Sequence, residues 1–121
     1  MNEEVKRRWV EALRSGEYQQ ASGYLRTGIE GYWSYCCLGV LCDIAVKDGV
    51  VGWAHGDTSG VSACDGSASY LPARVVDWAG LSSFNPMMKS GSQQQDVSLV
   101  AMNDDFKYDF EQIADAIESG L

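Results

Sequence analysis

The fold is organised around one stretch of the chain, Tyr35-Cys36-Cys37-Leu38-Gly39-Val40-Leu41-Cys42-Asp43-Ile44-Ala45-Val46. It is apolar at almost every position. Only Gly39, Asp43 and the following Lys47, spaced four residues apart, form a narrow stripe without large apolar side chains. A helix that is apolar on nearly every side belongs in the interior of a domain. The stretch therefore predicts a buried central helix.

Gly39 is an unusual residue for the middle of such a helix. Glycine in a helix interior costs about 1 kcal/mol relative to alanine, so its presence indicates that another segment approaches closely at this position. Asp43 and Lys47 have the spacing of an ion pair on one helix face. We expect this pair to lie at the exposed edge of the central helix.

Two amphipathic helices are predicted near the ends of the chain. The first spans about residues 3–15, with Asn2 as its N-cap and apolar residues recurring on one face. The last begins after Asp109, which forms a capping-box pattern with Gln112, and it ends at Gly120. Both helices have one apolar face, which is the pattern of helices that pack against a core.

The segments between these helices carry shorter signals. Residues 17–31 predict a connector, and residues 48–70 predict a short antiparallel hairpin with loose turns. Pro72 opens a brief helix that Gly80 closes. Residues 82–96 form a long polar segment, which we expect to be mobile, with a role in a binding site as the alternative.

Length and composition complete the prediction of the fold. The 121 residues, of which 45% are hydrophobic, suffice for one core and leave no room for a second domain. We predict a single α+β domain over residues 1–121, dominated by helices, with a central apolar helix and a small antiparallel β element. No apolar run reaches the about 20 residues of a membrane span, and the first residues lack the apolar region of a signal peptide. A cytoplasmic protein is therefore expected.

The net charge of −8 argues against direct binding to nucleic acid, because contacts with phosphates need clustered Lys and Arg. Six acidic residues lie between Asp104 and Glu118, against Lys107 alone. Such a run is usually a solvated helix surface. The alternative interpretation is an acidic surface that docks on a basic host protein.

The cysteines Cys36, Cys37, Cys42 and Cys64 show no metal-binding pattern, because they form no C-x-x-C pair and His55 is the only histidine. In a cytosolic protein we expect reduced thiols that fill the core. The alternative is a small Cys-dependent hydrolase, with Cys36 at the start of the central helix as nucleophile and His55 as its base. We expect no catalytic residue, no metal and no cofactor.

Several large aromatic residues lie in the loop-rich middle of the chain. Their faces can stack on nucleobases, although core or rim packing is the more common role for each one alone. Arg26 can bind a phosphate through two hydrogen bonds. A homodimer would favour such a site, because a symmetric interface can form a pocket at its axis. The candidate ligand-binding residues are Arg26, Trp33, Tyr35, Trp53, Tyr70, Asn103 and Asp104.

The order of several motifs resembles a family of small proteins from phages, prophages and their hosts. The specific part is Tyr-Cys-Cys-Leu-Gly-Val-Leu-Cys-Asp at residues 35–43, followed by Leu-Pro at 71–72 before a Trp-bearing helix. The pattern is completed by Asn-Asp at 103–104, within a predicted turn at Asn103-Asp104-Asp105, and by Phe-Glu-Gln-Ile-Ala-Asp at 110–115. Asp105-Phe106 departs from the small turn residue or glycine that the family tends to have there. The resemblance implies a shared fold and a phage-associated origin, but no activity.

Two functions follow by analogy with small phage proteins that block host immunity. The first is non-enzymatic sequestration of a nucleotide-like host signalling ligand of the cyclic or ADP-ribose type, as anti-CBASS and anti-Thoeris sponges do. The second is inhibition of a host defence complex by docking of an acidic protein, as anti-CRISPR proteins do. The aromatic residues and Arg26 favour the first function, and the acidic C-terminal helix favours the second.

We predict that the purified protein carries four reduced thiols and no bound metal, because the spacing of the cysteines and the reducing compartment disfavour zinc and disulfides. Native mass spectrometry of protein purified without a chelator should give the mass of the bare chain. One bound zinc ion, or a mass lower by two hydrogen atoms for each disulfide, would contradict this expectation.

Overall fold

The computed structural model describes residues 1–90 and 95–121, which form an α+β fold of five helices and seven short strands. The helices are α1 (Glu3–Arg14), α2 (Cys37–Lys47), α3 (Ala73–Ala79), α4 (Leu99–Asp104) and α5 (Phe110–Gly120). The strands are β1 (Gln19–Gln20), β2 (Arg26–Ile29), β3 (Tyr32–Tyr35), β4 (Trp53–His55), β5 (Ser62–Cys64), β6 (Met87–Ser90) and β7 (Gln95–Ser98).

The strands form three small sheets. In the first, the order is β1-β3-β2, with β1 parallel and β2 antiparallel to β3. The antiparallel pair β4–β5 confirms the hairpin predicted for residues 48–70. The antiparallel pair β6–β7 forms a third sheet.

Two segments contain more β structure than their sequence predicts. Residues 17–31, expected as a connector, contain β1 and β2. Within residues 82–96, expected as a mobile loop, the structure has β6 and the start of β7, with an ion pair of 2.7 Å between Lys89 and Asp96 across the strands. Residues 91–94 lie outside the described residues. These strands are short and lack a clear alternation of apolar and polar residues, so only their pairing with other strands identifies them.

The predicted central helix is confirmed as α2, although Tyr35 ends β3 and Cys36 is the N-cap of the helix. Every residue of α2 from Cys37 to Ala45 is buried. The indole of Trp9 on α1 donates a hydrogen bond to the Cys37 carbonyl at 3.0 Å. Side chains from all five helices join the core around α2.

The expected close approach at Gly39 is confirmed. A Cβ atom at this position would overlap the carbonyl oxygen of Leu25 and lie 2.7 Å from its carbonyl carbon. Leu25 is fully buried, and its carbonyl also accepts a hydrogen bond from the Cys36 N–H at 3.2 Å. The backbone just before β2 therefore rests directly on α2, which only glycine permits.

The predicted helix ends are also confirmed. The Asn2 side chain accepts a hydrogen bond from the Val5 N–H at 3.0 Å, and Asp109 and Gln112 form the expected reciprocal capping box. Gly80 closes α3 with a left-handed backbone, φ +69°. Among the described residues, no helix is both long and apolar enough to cross a membrane.

The turn predicted at Asn103 and Asp104 is wrong, because both residues belong to α4. Asn103 is buried, with 2% of its surface exposed. Its side-chain oxygen accepts hydrogen bonds from the Cys37 N–H and from the Gln20 amide, and its side-chain nitrogen donates to the carbonyl of Ala21. The residue therefore ties α4 to the start of α2 and to the region of β1, and this tertiary role has no local signature.

Replacing Gly39 by alanine should destabilise the fold by about 1–3 kcal/mol or more, because the added methyl group would collide with the Leu25 backbone. Gly52→Ala is the matched control, since a Cβ atom there would meet nothing within 4 Å. Urea unfolding curves of both variants measure the difference. Equal midpoints for Gly39→Ala and the wild type would show that the two segments do not pack as described.

Candidate functional site

Two hairpins meet at the guanidinium group of Arg26. Its Cζ atom lies 3.7 Å from the ring centroid of Trp33 and 4.4 Å from that of Trp53. Its Nε donates a hydrogen bond of 2.8 Å to the hydroxyl of Ser62, a residue with only 3% of its surface exposed. Stacking on aromatic rings and an in-plane hydrogen bond together fix the orientation of the guanidinium. We call Arg26, Trp33, Trp53 and Ser62 the arginine clamp.

Strand register explains why these residues converge. Arg26 pairs with Tyr35 across the β2–β3 ladder, and Trp33, two residues before Tyr35, projects from the same face of the sheet. In the second hairpin, Trp53 pairs with Cys64, and Ser62 lies two residues from Cys64 on that face. The first hairpin therefore supplies Arg26 and Trp33, and the second supplies Trp53 and Ser62.

The arginine clamp lines a cleft of about 760 Å³. This volume lies within the range of about 300–1,000 Å³ that is typical of small-molecule sites. The cleft also contains Glu30, His55 and the hydroxyl-bearing residues Thr58 and Ser59. Within residues 1–90 and 95–121, no carboxylate forms an ion pair with Arg26. Because Nε donates to Ser62, an anion in the cleft would be bound through the Nη side of the guanidinium.

The buried carboxylate of Asp43 holds Trp53 of the arginine clamp in place. Asp43 of α2 accepts hydrogen bonds from the Trp53 indole at 3.0 Å and from the Tyr18 hydroxyl at 2.6 Å. Its ion pair with Lys47, at 3.4 Å, is present as predicted, but Asp43 is 9% exposed and does not lie at an exposed edge. Burial, together with the bond to Asp43, raises the pKa of Tyr18, so this hydroxyl stays protonated and donates.

The structure divides the seven candidate ligand-binding residues. Arg26, Trp33 and Trp53 line the cleft, and the Tyr35 ring packs edge-on against Trp53 with centroids 6.3 Å apart. They converge within one chain, so this grouping does not require a dimer. The remaining three residues lie elsewhere. Tyr70 packs edge-on against Phe84 at another groove, Asn103 is buried in its hydrogen-bond network, and Asp104 accepts a hydrogen bond from the Gly23 N–H.

Ser62, Asp43 and Tyr18 also belong to this region, although their sequence positions did not predict it. Each contributes through a partner distant in sequence: Ser62 bonds Arg26 across 36 positions, and Tyr18 bonds Asp43 across 25. One signal was available, because a carboxylate inside an otherwise apolar helix usually has buried donors as partners. Nothing in the sequence indicates which donors these are.

The acidic C-terminal run is largely engaged in contacts within the chain. Arg14 of α1 forms ion pairs with Glu111 at 3.4 Å, Asp115 at 2.6 Å and Glu118 at 3.2 Å, all on α5. Asp109 caps the same helix. Arg14 therefore links these carboxylates to α1, although each stays 61–66% exposed and one arginine offsets only one of their three charges.

The four cysteines are buried and unbridged. Burial raises the pKa of the Cys36 thiol to about 11 and the pKa of Cys37 well above its usual range, which disfavours the nucleophilic thiolate. His55 is exposed in the cleft. Among the described residues, no three His, Cys, Asp or Glu side chains are grouped as a metal site would require.

Comparison with known proteins gives one match. Residues 1–121 match the model of a family described as a domain of unknown function (DUF8296). Neither a search of curated proteins nor a search of solved structures found a match.

Asp43→Ala should lower the free energy of unfolding by about 1–3 kcal/mol, because it leaves the Trp53 indole and the Tyr18 hydroxyl without their acceptor. Lys47→Ala removes an exposed partner of the same carboxylate that also donates to the Tyr18 hydroxyl, and it should cost less than about 1 kcal/mol. Urea unfolding followed by tryptophan fluorescence compares the two variants. Similar losses from both would argue against Asp43 as the support of Trp53.

Proposed function

We propose that this chain, which belongs to the DUF8296 family, is a non-enzymatic protein that binds a nucleotide-like ligand in the cleft at the arginine clamp. The observation that carries the proposal is the arrangement of Arg26. Its guanidinium is stacked on Trp33 and Trp53, fixed through Nε by the buried Ser62, and part of the cleft lining. A fixed guanidinium beside aromatic rings has the chemistry to bind a phosphate next to a base.

The clamp is suited to an anion because it is organised before the ligand arrives. A free arginine side chain loses rotamer freedom when it binds, and this cost reduces affinity. In this chain the contacts of Arg26 with two indoles and a buried hydroxyl hold the side chain in one place. The planar Nη groups can then bind two phosphate oxygens at once. Trp33 and Trp53 are half-buried and line the cleft, so a nucleobase bound there would contact their rings.

Two other functions have less support. An acidic docking surface would use the exposed carboxylates Glu111, Asp115 and Glu118, but all three lie beside Arg14, which offsets part of their charge. A Cys-dependent hydrolase needs an accessible thiolate, but Cys36 is buried and its pKa is raised to about 11. Ligand binding at the arginine clamp has more support, because the cleft is open and Arg26 has no acidic partner among the described residues.

The motif resemblance to small phage and prophage proteins extends the proposal to a biological setting. We propose a phage-type accessory protein in the host cytoplasm that sequesters a host signalling nucleotide of the cyclic or ADP-ribose type. Sequestration requires affinity but no chemical step, so the cleft needs only to bind its ligand. In this setting the protein would counter a nucleotide-based host defence.

Calorimetric titration with cyclic and ADP-ribose-type nucleotides tests the proposal. Arg26→Ala should weaken binding of the nucleotide that the wild type takes by about 10- to 150-fold, since a hydrogen-bonded charged group contributes about 1.5–3 kcal/mol. Arg26→Lys should also weaken it, because lysine keeps the charge but loses the planar fork and the stacking. Arg74→Ala is the matched control, as the Arg74 side chain is 71% exposed and outside the cleft.

Two results would contradict the proposal. One is that no nucleotide of the panel binds the folded wild-type protein. The other is that Arg26→Ala and Arg74→Ala bind equally well. If a salt-sensitive complex with a basic host protein were found together with the first result, the acidic docking function would replace this one. Far-ultraviolet circular dichroism of each variant verifies that its fold is intact.

A further inference from the structure

We infer that the cleft selects ligands of low phosphate charge, such as cyclic nucleotides with their phosphodiesters, over ligands with triphosphate chains. The inference rests on the proposed function, because it concerns the same cleft. The inference adds the charge of the preferred ligand, and it names Glu30 as the residue that disfavours ligands with more phosphate charges.

Positive charge is scarce in the cleft. Among the described residues that line it, Arg26 is the only lysine or arginine. The other titratable side chains of the lining are Glu30 and His55. One guanidinium can match one phosphodiester through a bidentate contact. A triphosphate brings further charges, for which the described lining supplies no second lysine or arginine.

Several backbone amides of the cleft are already used within the chain. Proteins commonly bind phosphate chains with free N–H groups of a glycine-rich loop at a helix N-terminus. This cleft also contains glycines, but its walls are hairpins and their connecting turns. The N–H groups of Gly28 and Gly56 are donated to the carbonyls of Gly60 at 2.9 Å and Val61 at 2.8 Å. The N–H of Val61 is donated to the Thr58 carbonyl at 3.1 Å.

Negative charge at the cleft repels further phosphates. Glu30 lies at the tip of the β2–β3 hairpin, where it is exposed and lines the cleft. Among the described ion pairs it has no basic partner. The net charge of the chain is −8, so the field around the cleft disfavours additional anionic charge. Each phosphate charge beyond the one held by Arg26 therefore faces a carboxylate and a repulsive background.

Calorimetry with ligands of one base series separates charge from base recognition. The probes are 3′,5′-cyclic AMP, cyclic di-AMP, ADP-ribose and ATP, with the corresponding guanine compounds as a second series, in a buffer containing EDTA so that no divalent cation neutralises the phosphates. Cyclic AMP, with one phosphate charge, should bind at least about tenfold more tightly than ATP, with cyclic di-AMP and ADP-ribose, which carry two charges each, between them. Glu30→Gln should strengthen triphosphate binding by about fivefold, and the gain should shrink at high salt.

Asp105→Asn is the matched control for Glu30→Gln, because it removes one carboxylate that is exposed and outside the cleft lining. A triphosphate that binds the wild type as tightly as the cyclic compounds would overturn the inference and leave the proposed function standing. Equal effects of Glu30→Gln and Asp105→Asn would also overturn it. If none of the probes binds, the proposed function fails, and the inference fails with it.

Discussion

The contact between the Leu25 carbonyl and Gly39 is the constraint on which the rest of the structure depends. Because Gly39 has no side chain, the backbone of Leu25 rests directly on α2, and the same carbonyl accepts the Cys36 N–H at the start of that helix. Arg26 is the next residue along the chain. The backbone position of Arg26 is therefore set by a close contact in the core.

The stripe of α2 without large apolar side chains, which contains Gly39 and Asp43, contacts both hairpins of the cleft. The sequence of the helix alone does not suggest this role. Gly39 receives the backbone that leads into β2, and Asp43, one turn further along, accepts the indole N–H of Trp53 on β4. One side of the helix thus anchors both hairpins that build the arginine clamp. A buried carboxylate is tolerated in this apolar helix because hydrogen bonds from Trp53 and Tyr18, together with the nearby Lys47, offset the cost of its burial.

Some arginine residues of this chain form ion pairs that stabilise the fold, and Arg26 lies at the cleft without such a pair among the described residues. Arg14 takes up three carboxylates of α5 and joins the two terminal helices. Arg8 binds Asp48, which follows α2, through two hydrogen bonds of 2.8 Å. Arg26 is different, because its partners are two aromatic rings and a hydroxyl. Within the described part of the fold, no carboxylate neutralises Arg26. This cation is the feature that makes the cleft of an acidic protein a candidate anion site.

The sequence by itself determined the elements with strong local signals. The continuous apolar run predicted the central helix, the caps predicted both terminal helices, and Pro72 and Gly80 bounded the helix between them. Gly39 was also identifiable as a point of close approach, because glycine weakens a helix and is favoured inside one mainly where a side chain would not fit. These features are encoded within one or two helical turns, where spacing and capping chemistry are visible.

Only the tertiary structure decided the rest. Residues 17–35 form a sheet through pairing between strands. The buried side chains of Asn103 and Asp43 have hydrogen-bond partners that are distant in sequence. Of the seven candidate ligand-binding residues, strand register brought Arg26, Trp33 and Trp53 together at the cleft and left Tyr70 at another groove. The physical reason is that a residue's type fixes what it can bind, whereas its partners depend on contacts between segments far apart in the chain.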